Sequence, residues 1–218
     1  MTTVQDITLQ CPVCGTWFAS QTMPEAAEAG AARTATDFQR RVSGPDPLAF
    51  QVHLCAGCGF AGAEEEFASD PVAGASAAAL TGRDGALTTC ATATGSEKYE
   101  AAAAVLERRA AAPRAIADLL LRAAWCCVGE KDVEAERYFR RQAAWAFERA
   151  LGGYDGVARS DRAVLTYLIG ELWRRAGDRT RAWAWFDRVE AEAADSITQG
   201  WIVTLASQQR ERPREWLA

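Results

Sequence analysis

The chain is poor in the residues that most enzymes use for proton transfer. Its 218 residues contain one histidine, His53, two methionines and only two lysines beside 22 arginines. A single histidine supports neither a Cys–His nor a Ser–His–Asp arrangement, and the phosphate-binding motifs GxxxxGK[ST] and GxGxxG are missing from the sequence. We therefore predict that the protein is not an enzyme.

Long apolar runs are also missing. No stretch reaches the roughly 18 consecutive apolar residues that indicate a membrane-spanning helix, and the N-terminal MTTVQDITLQ has neither the basic start nor the apolar stretch of a signal peptide. Seven cysteines, an odd number, without an export signal are typical of reduced thiols and metal ligands. We expect a cytoplasmic protein with no membrane association.

Two cysteine pairs are the most specific signal in the sequence. Cys11 and Cys14 lie in Cys-Pro-Val-Cys-Gly, and Cys55 and Cys58 lie in Cys-Ala-Gly-Cys-Gly. A two-residue spacer lets both sulfurs of a pair reach one ion, and the glycine after each pair can take the left-handed conformation that a tight turn needs. Together the pairs predict a four-thiolate site for one metal ion.

Zinc is the ion expected at such a site, and iron also suits four cysteines at this spacing. Four protein ligands leave no open coordination position, so we expect a structural rather than a catalytic metal. His53, two residues before Cys55, is expected at an exposed strand position. A redox-active Cys-x-x-Cys pair is the alternative interpretation.

Composition and periodicity divide the chain into three parts. Residues 1–67 contain short alternating segments typical of strands, such as the one over residues 50–54. Residues 68–95, rich in Ala, Gly, Ser and Thr, predict a flexible linker. Residues 96–218 form the third part, which has helical periodicity over residues 96–211. We predict a mainly α protein, with a small β-rich zinc-ribbon-like module followed by tetratricopeptide-like α-helical hairpins.

The tetratricopeptide-like pattern is clearest near residue 170. The residues at the offsets of that repeat are Ile169, Gly170, Trp173, Gly177, Asp178, Ala182 and Phe186. A second, degenerate copy begins near Ile116. An ordinary antiparallel helical bundle is the alternative, because such repeats are degenerate.

Stacked helix pairs of this kind expose a groove that can bind a peptide. In the clearer copy, the residues expected on this surface are Tyr167, Glu171, Arg174 and Arg175, which either bind a charged peptide or form a solvated face. In the degenerate copy the lining is apolar and needs a cover, which the metal module, another subunit or a peptide would supply; it consists of Ala117, Leu120, Ala124 and Val128. We predict a protein or peptide partner and leave a homo-oligomer open.

Net charge argues against a nucleic-acid partner. Residues 1–95 hold ten acidic and four basic side chains, a net charge of −6, and the sequence pI is about 5.1. Binding to a phosphate backbone depends on neutralisation by Lys and Arg. A nucleic-acid- or ribosome-associated zinc protein is the alternative function, and its phosphate contacts would be two arginine clusters: Arg137, Arg140 and Arg141, and Arg210, Arg212 and Arg214.

Three segments resemble a known family. CPVCGTWF, DFQRRVSGPDPLAFQVHLCAGCGFAGAEEEF and YLIGELWRRAGDRTRAWAWFDRV are similar to the bacterial domain-of-unknown-function family 2225. The resemblance spans most of residues 8–192 and implies that the two cysteine pairs bind the metal. The sequence departs from the family pattern at Gln39, where a cysteine often follows the Asp-Phe pair, and in its Ala/Gly-rich linker. The family has no assigned activity, so the resemblance implies an architecture. From the residues we predict a protein-interaction scaffold with a structural zinc site.

Overall fold

A computed structural model describes residues 4–23, 32–42, 44, 46–68, 93–153, 157–193 and 196–217. The predicted linker, residues 68–95, lies almost entirely outside these ranges. None of the helices within them is long and apolar enough to cross a lipid bilayer.

The described residues of the N-terminal part include three short antiparallel hairpins. Their strand pairs are β1 (Gln5–Gln10) with β2 (Trp17–Thr22), β3 (Arg33–Thr34) with β4 (Arg40–Arg41), and β5 (His53–Leu54) with β6 (Ala61–Gly62). A short helix, α1 (Glu64–Phe67), follows β6.

The prediction of a strand over residues 50–54 is wrong for its first residues. Pro47–Phe50 form a 3-10 helix, because Asp46 caps its first turn by accepting a hydrogen bond from the amide of Leu48 at 3.0 Å. Only His53–Leu54 pairs as a strand, which leaves the second cysteine turn at the tip of a very short hairpin.

The described residues after α1 form a 3-10 helix at Arg159–Asp161 and seven α-helices: α2 (Gly95–Arg108), α3 (Pro113–Glu130), α4 (Val133–Gly152), α5 (Arg162–Arg175), α6 (Arg179–Phe186), α7 (Val189–Glu192) and α8 (Ser196–Glu211). Aspartates cap the N-termini of α4 and α6. The Asp132 side chain accepts a hydrogen bond from the amide of Ala135 at 2.9 Å, and the Asp178 side chain accepts one from the amide of Arg181 at 3.0 Å. The predicted fold class, mainly α with a small β-rich N-terminal part, is confirmed.

Helices α5 and α6 approach each other closely at Gly170. A Cβ atom there would lie 2.7 Å from Cδ1 of Phe186 and 3.2 Å from the carbonyl oxygen of Ala182. The sequence pattern placed small residues at 170 and 182 for this reason. Assignment of the hairpins to tetratricopeptide-like repeats stays a prediction.

Two apolar cores hold the molecule together. One lies among the helices α3 to α8 and includes Phe147, Ile169 and Leu172. The other is continuous from the hairpins into α2, α3 and α4, and it contains Cys11, Phe18, Cys55, Phe60, Tyr99, Ala124, Cys127 and Phe139. Ala124 of α3 therefore shares one core with the N-terminal part, which favours the metal module as the cover of this stretch, whereas Ala117 lies in the other core.

Candidate functional site

Both cysteine pairs lie at hairpin tips, one between β1 and β2 and the other between β5 and β6. In each turn the glycine amide donates to the carbonyl of the first cysteine, from Gly15 to Cys11 at 2.9 Å and from Gly59 to Cys55 at 2.8 Å. The φ angles of Gly15 and Gly59 are 73° and 75°. The expected left-handed glycines are confirmed, and the two turns present their sulfurs in the same way.

The four sulfurs converge. All four lie within 4.8 Å of one another, and the pairs Cys11–Cys58 and Cys14–Cys55 are each 3.6 Å apart. A tetrahedral ion with metal–sulfur bonds of about 2.3 Å places its sulfurs about 3.8 Å apart, whereas a disulfide needs about 2.05 Å. The donor set therefore fits one metal ion held by all four cysteines.

Gly57 lets the two turns approach each other. A Cβ atom at this position would lie 2.9 Å from Oγ1 of Thr16 and 3.4 Å from Sγ of Cys14. The Thr16 hydroxyl lies 3.2 Å from the same sulfur, to which it donates when that sulfur is a thiolate. A larger side chain at 57 would force apart the two halves of the metal site.

The electrostatics of the sulfurs also favour a cation. Burial raises the pKa of Cys11 to about 11, and the hydrogen bond from Cys58 lowers the pKa of Cys55 to about 5. That shared hydrogen bond raises the pKa of Cys58 above its usual range. Without a cation the cluster thus stabilises one thiolate, and four thiolates at these distances require a positive ion between them.

His53 is not at an exposed position, and this expectation is wrong. Its side chain is buried, its Nδ1 lies 2.8 Å from Oγ of Ser20, and its ring packs edge-on against Phe67. Burial, reinforced by the charge of Lys98, lowers its pKa to about 4, so the ring is neutral at pH 7. Phe67 also contacts Phe18 and Phe60, so α1 and His53 together join the two metal-bearing hairpins.

The four residues expected to line a polar groove are buried or partly buried, so the surface that they form is covered rather than open. Their role in binding a partner stays a prediction. Tyr167 and Glu171 are fully buried, and the side chains of Arg174 and Arg175 are 16% and 7% exposed. Two parts of the same chain cover them: Thr36, beside β3, and the segment after α8. Buried charges need partners, and these segments supply them.

Glu171 is the centre of this arrangement. Its carboxylate accepts from Nε of Arg174 at 2.8 Å, from Nε of Arg175 at 2.7 Å and from Nε2 of Gln209 at 3.1 Å. Residues from α5, α8 and the N-terminal part meet here, because Oγ1 of Thr36 donates to the same carboxylate at 2.6 Å. The Tyr167 hydroxyl donates to the carbonyl of Thr36 at 2.8 Å.

A second buried carboxylate, Asp37, ties the N-terminal part to α3 and α4. It accepts from Nη1 of Arg140 at 2.7 Å and from Nε1 of Trp125 at 3.0 Å, and neither charged side chain of the pair has any solvent exposure. Arg140 also donates to Glu136 at 2.9 Å. Arg140 therefore does not contact a phosphate in this fold, as the alternative function required.

Sequence reasoning missed the Asp37–Arg140 pair. The available signal was the Asp-Phe step in the family-like segment, whose partner is 103 residues away. Phe38 has a φ of 67°, which is rare for an aromatic residue. That conformation directs its ring onto Tyr167 and Trp201. Gln39, which stands where a cysteine was expected, donates to the carbonyl of Trp125 at 3.3 Å and so belongs to this cluster.

Comparison with known proteins confirms the family resemblance. The model of a family described as uncharacterised proteins conserved in bacteria, DUF2225, matches residues 5–212. No curated protein and no solved structure matches the chain. The matched range includes both cysteine pairs, Asp37, Arg140 and Glu171. The chain thus belongs to the bacterial domain-of-unknown-function family 2225.

Proposed function

We propose that the protein is a non-enzymatic interaction scaffold of the cytoplasm whose N-terminal part is held together by one structural zinc ion. The convergence of four sulfurs from two distant turns is the observation that carries this proposal. Four cysteine ligands complete a tetrahedron, so a bound ion has no open position for substrate or water. The described cysteines form no disulfide, which suits a reducing compartment.

A protein or peptide partner is favoured over nucleic acid. Among the arginines that the alternative function needs, Arg140 is buried, Arg137 pairs with Glu134 at 3.3 Å and Arg210 pairs with Asp187. Pairing reduces the charge available for phosphate. A salt-sensitive complex with RNA or DNA would instead support the alternative.

Elemental analysis and a visible spectrum of the purified protein test the metal. We expect about one zinc per chain and no visible absorption, because Zn²⁺ has a filled d shell. Cys55→Ser should lose the metal, while the matched control Cys126→Ser, outside the cluster, should keep it. Iron in place of zinc would give colour, and a metal-free wild type would contradict the proposal.

Affinity capture from the native host tests the scaffold role. Cys55→Ser serves as the matched control, because it should disrupt the N-terminal part while leaving the rest of the sequence unchanged. Each captured candidate is purified and titrated directly against the wild-type chain. The absence of any direct, saturable protein complex would overturn the scaffold role.

A further inference from the structure

The segment Arg214–Leu217 lies beside the end of β3 and pairs with the chain there through a single antiparallel bridge. Ala35 and Trp216 form an antiparallel bridge, the amide of Thr36 donates to the carbonyl of Glu215 at 3.1 Å, and the amide of Leu217 donates to the carbonyl of Thr34 at 2.9 Å. Addition of an extended segment to an exposed strand edge is a recurring mode of peptide recognition.

Side chains beneath the segment form hydrogen bonds with its main chain. The buried side chain of Gln209 accepts from the amide of Arg214 at 2.7 Å and donates to the carbonyl of Arg214 at 2.9 Å. Nη2 of Arg175 donates to the carbonyl of Glu215 at 3.0 Å. Amide and carbonyl groups of this kind are present in nearly any extended peptide, so these contacts do not depend on the sequence of the segment.

Four arginines contact two side chains of the segment, those of Glu215 and Trp216. The Glu215 carboxylate lies 3.2 Å from Nη2 of Arg174 and 2.8 Å from Nη1 of Arg175. The indole of Trp216 lies under the guanidinium groups of Arg33 and Arg41, at 4.3 Å and 5.2 Å from the ring centroid. This surface, the β3-edge groove, is therefore complementary to an acidic residue followed by a large aromatic one.

The segment itself is held at the surface. Residues 211–215 are exposed and Glu215 has 59% of its side chain in solvent, whereas Thr36, Glu171 and Gln209 beneath it are buried. Exposed ion pairs contribute little stability. The family match ends at residue 212, so it includes the groove residues and not the segment.

We propose that the β3-edge groove is a peptide-binding site that the chain occupies with its own segment Arg214–Leu217. An extended segment of a partner protein, with an acidic residue followed by a large aromatic one, competes for the same groove. The inference rests on the proposed scaffold role and adds the chemistry of the partner to it.

A fluorescence-anisotropy titration tests this with the full chain. The probe is a fluorescein-labelled peptide with the sequence of residues 212–217. In wild type the tethered segment competes at high effective concentration, so the double variant Glu215→Gln, Trp216→Ala should bind the probe about tenfold more tightly. Adding Arg33→Ala to the double variant should abolish this gain, whereas the exposed Arg149→Ala should leave it unchanged.

The inference is overturned if the folded double variant, checked by circular dichroism, binds the probe no better than wild type. It is also overturned if a probe carrying the same Gln and Ala changes binds equally well. Hydrogen exchange on wild type gives an independent readout: unlabelled peptide in excess should accelerate exchange of residues 214–217, and an unchanged rate contradicts competition.

Two further outcomes separate this inference from its premises. A wild-type dimer that Trp216→Ala dissociates would show that a second copy supplies the strand, and would overturn a foreign partner. If purified partners bind the chain but the peptide does not compete, the groove proposal fails alone. If the peptide competes but no partner is found by capture, the groove stands and the scaffold role fails.

Discussion

At the scale of single residues, the most consequential feature is the pairing of Asp37 with Arg140. Both side chains are completely buried, and Arg140 also contacts Glu136. Removal of one member of a buried pair leaves an uncompensated charge, which costs more than the pair itself contributes. The pair thus specifies how the N-terminal part docks on α4.

A double-mutant cycle measures this coupling. Asp37→Ala and Arg140→Met should each lower the free energy of unfolding by about 3–5 kcal/mol, and the double variant should lose much less than the sum. The exposed pair Glu134–Arg137 on the same helix is the control, where a cycle should give about 0.5 kcal/mol or less. Urea denaturation followed by circular dichroism provides the values, and simple additivity at the buried pair would contradict the prediction.

Acid should weaken the same contact. Burial pushes the pKa of Asp37 upward, but the charges of Arg140 and Arg175 outweigh burial and hold it below its usual range. A lowered folded-state pKa stabilises the fold above the unfolded value of about 3.9, and this contribution is lost as the pH falls through the folded-state pKa. The stability gap between wild type and Asp37→Asn should therefore shrink below about pH 4 in urea titrations. A gap that stays constant down to about pH 3 would contradict this assignment.

The metal turns give a third prediction at this scale. Gly15 has a φ of 73°, and apart from its two chain neighbours no described residue has an atom within 4 Å of the position that a Cβ would take, so Gly15→Ala should be destabilising through backbone conformation alone. We expect a loss of about 1–2 kcal/mol. Gly129→Ala in helix α3 meets equally open space and should gain about 0.5–1 kcal/mol. Opposite signs in thermal unfolding of the metal-loaded proteins would confirm the distinction, and equal effects would contradict it.

At the scale of elements, the close packing of α5 against α6 depends on Gly170, which has no side chain. A methyl group at 170 would enter the ring of Phe186, which is itself buried. Sequence offsets were sufficient to identify this contact, because a small residue in one helix and an aromatic in the next leave few alternatives. The short strand β5 was not readable in the same way, because capping by Asp46 replaced the first part of the expected strand with a 3-10 helix.

Gly170→Ala should therefore cost about 1–3 kcal/mol by overpacking. Gly200→Ala on α8 has no atom within 4 Å of the new methyl group and is the matched control, expected to be neutral or slightly stabilising. Adding Phe186→Leu to Gly170→Ala should recover part of the loss. Chemical denaturation of the four proteins tests this, and an unchanged stability of Gly170→Ala would show that the helices separate without cost.

At the scale of the whole molecule, the two cores decide how metal loss spreads. The core that contains Cys11 and Cys55 also contains Tyr99 and Phe139, so the cysteine hairpins and the first helices are not independent units. Among the described residues, the other core, around Ile169, contains none of the four cysteine ligands. Damage at the metal should reach α2 to α4 before it reaches α5 to α8.

Chelation followed by hydrogen-exchange mass spectrometry tests this order. Amides of β1, β2, β5 and β6 should lose protection first, those of α2 should weaken, and those of α5 should remain protected. Total helical content should fall only modestly in far-UV circular dichroism. Readdition of zinc should restore the original pattern. Simultaneous loss of protection in α5 would show instead that the chain unfolds as one unit.

Sequence alone was sufficient for the cysteine cluster, the mainly helical class and the small-residue contact at 170. Each depends on a pattern of short-range spacing. The cysteine cluster follows from two residues between the ligands of a pair and a glycine after each pair, and the helical class and the contact at 170 follow from the three- and four-residue spacing of helix neighbours. The polar cluster could not be predicted from the sequence, because Asp37 and Arg140 are 103 residues apart and Thr36 and Glu171 are 135 residues apart. In an isolated helix the polar residues of α5 would face water. They are covered because the N-terminal part and the segment Arg214–Leu217 pack onto α5, which only the tertiary structure decides.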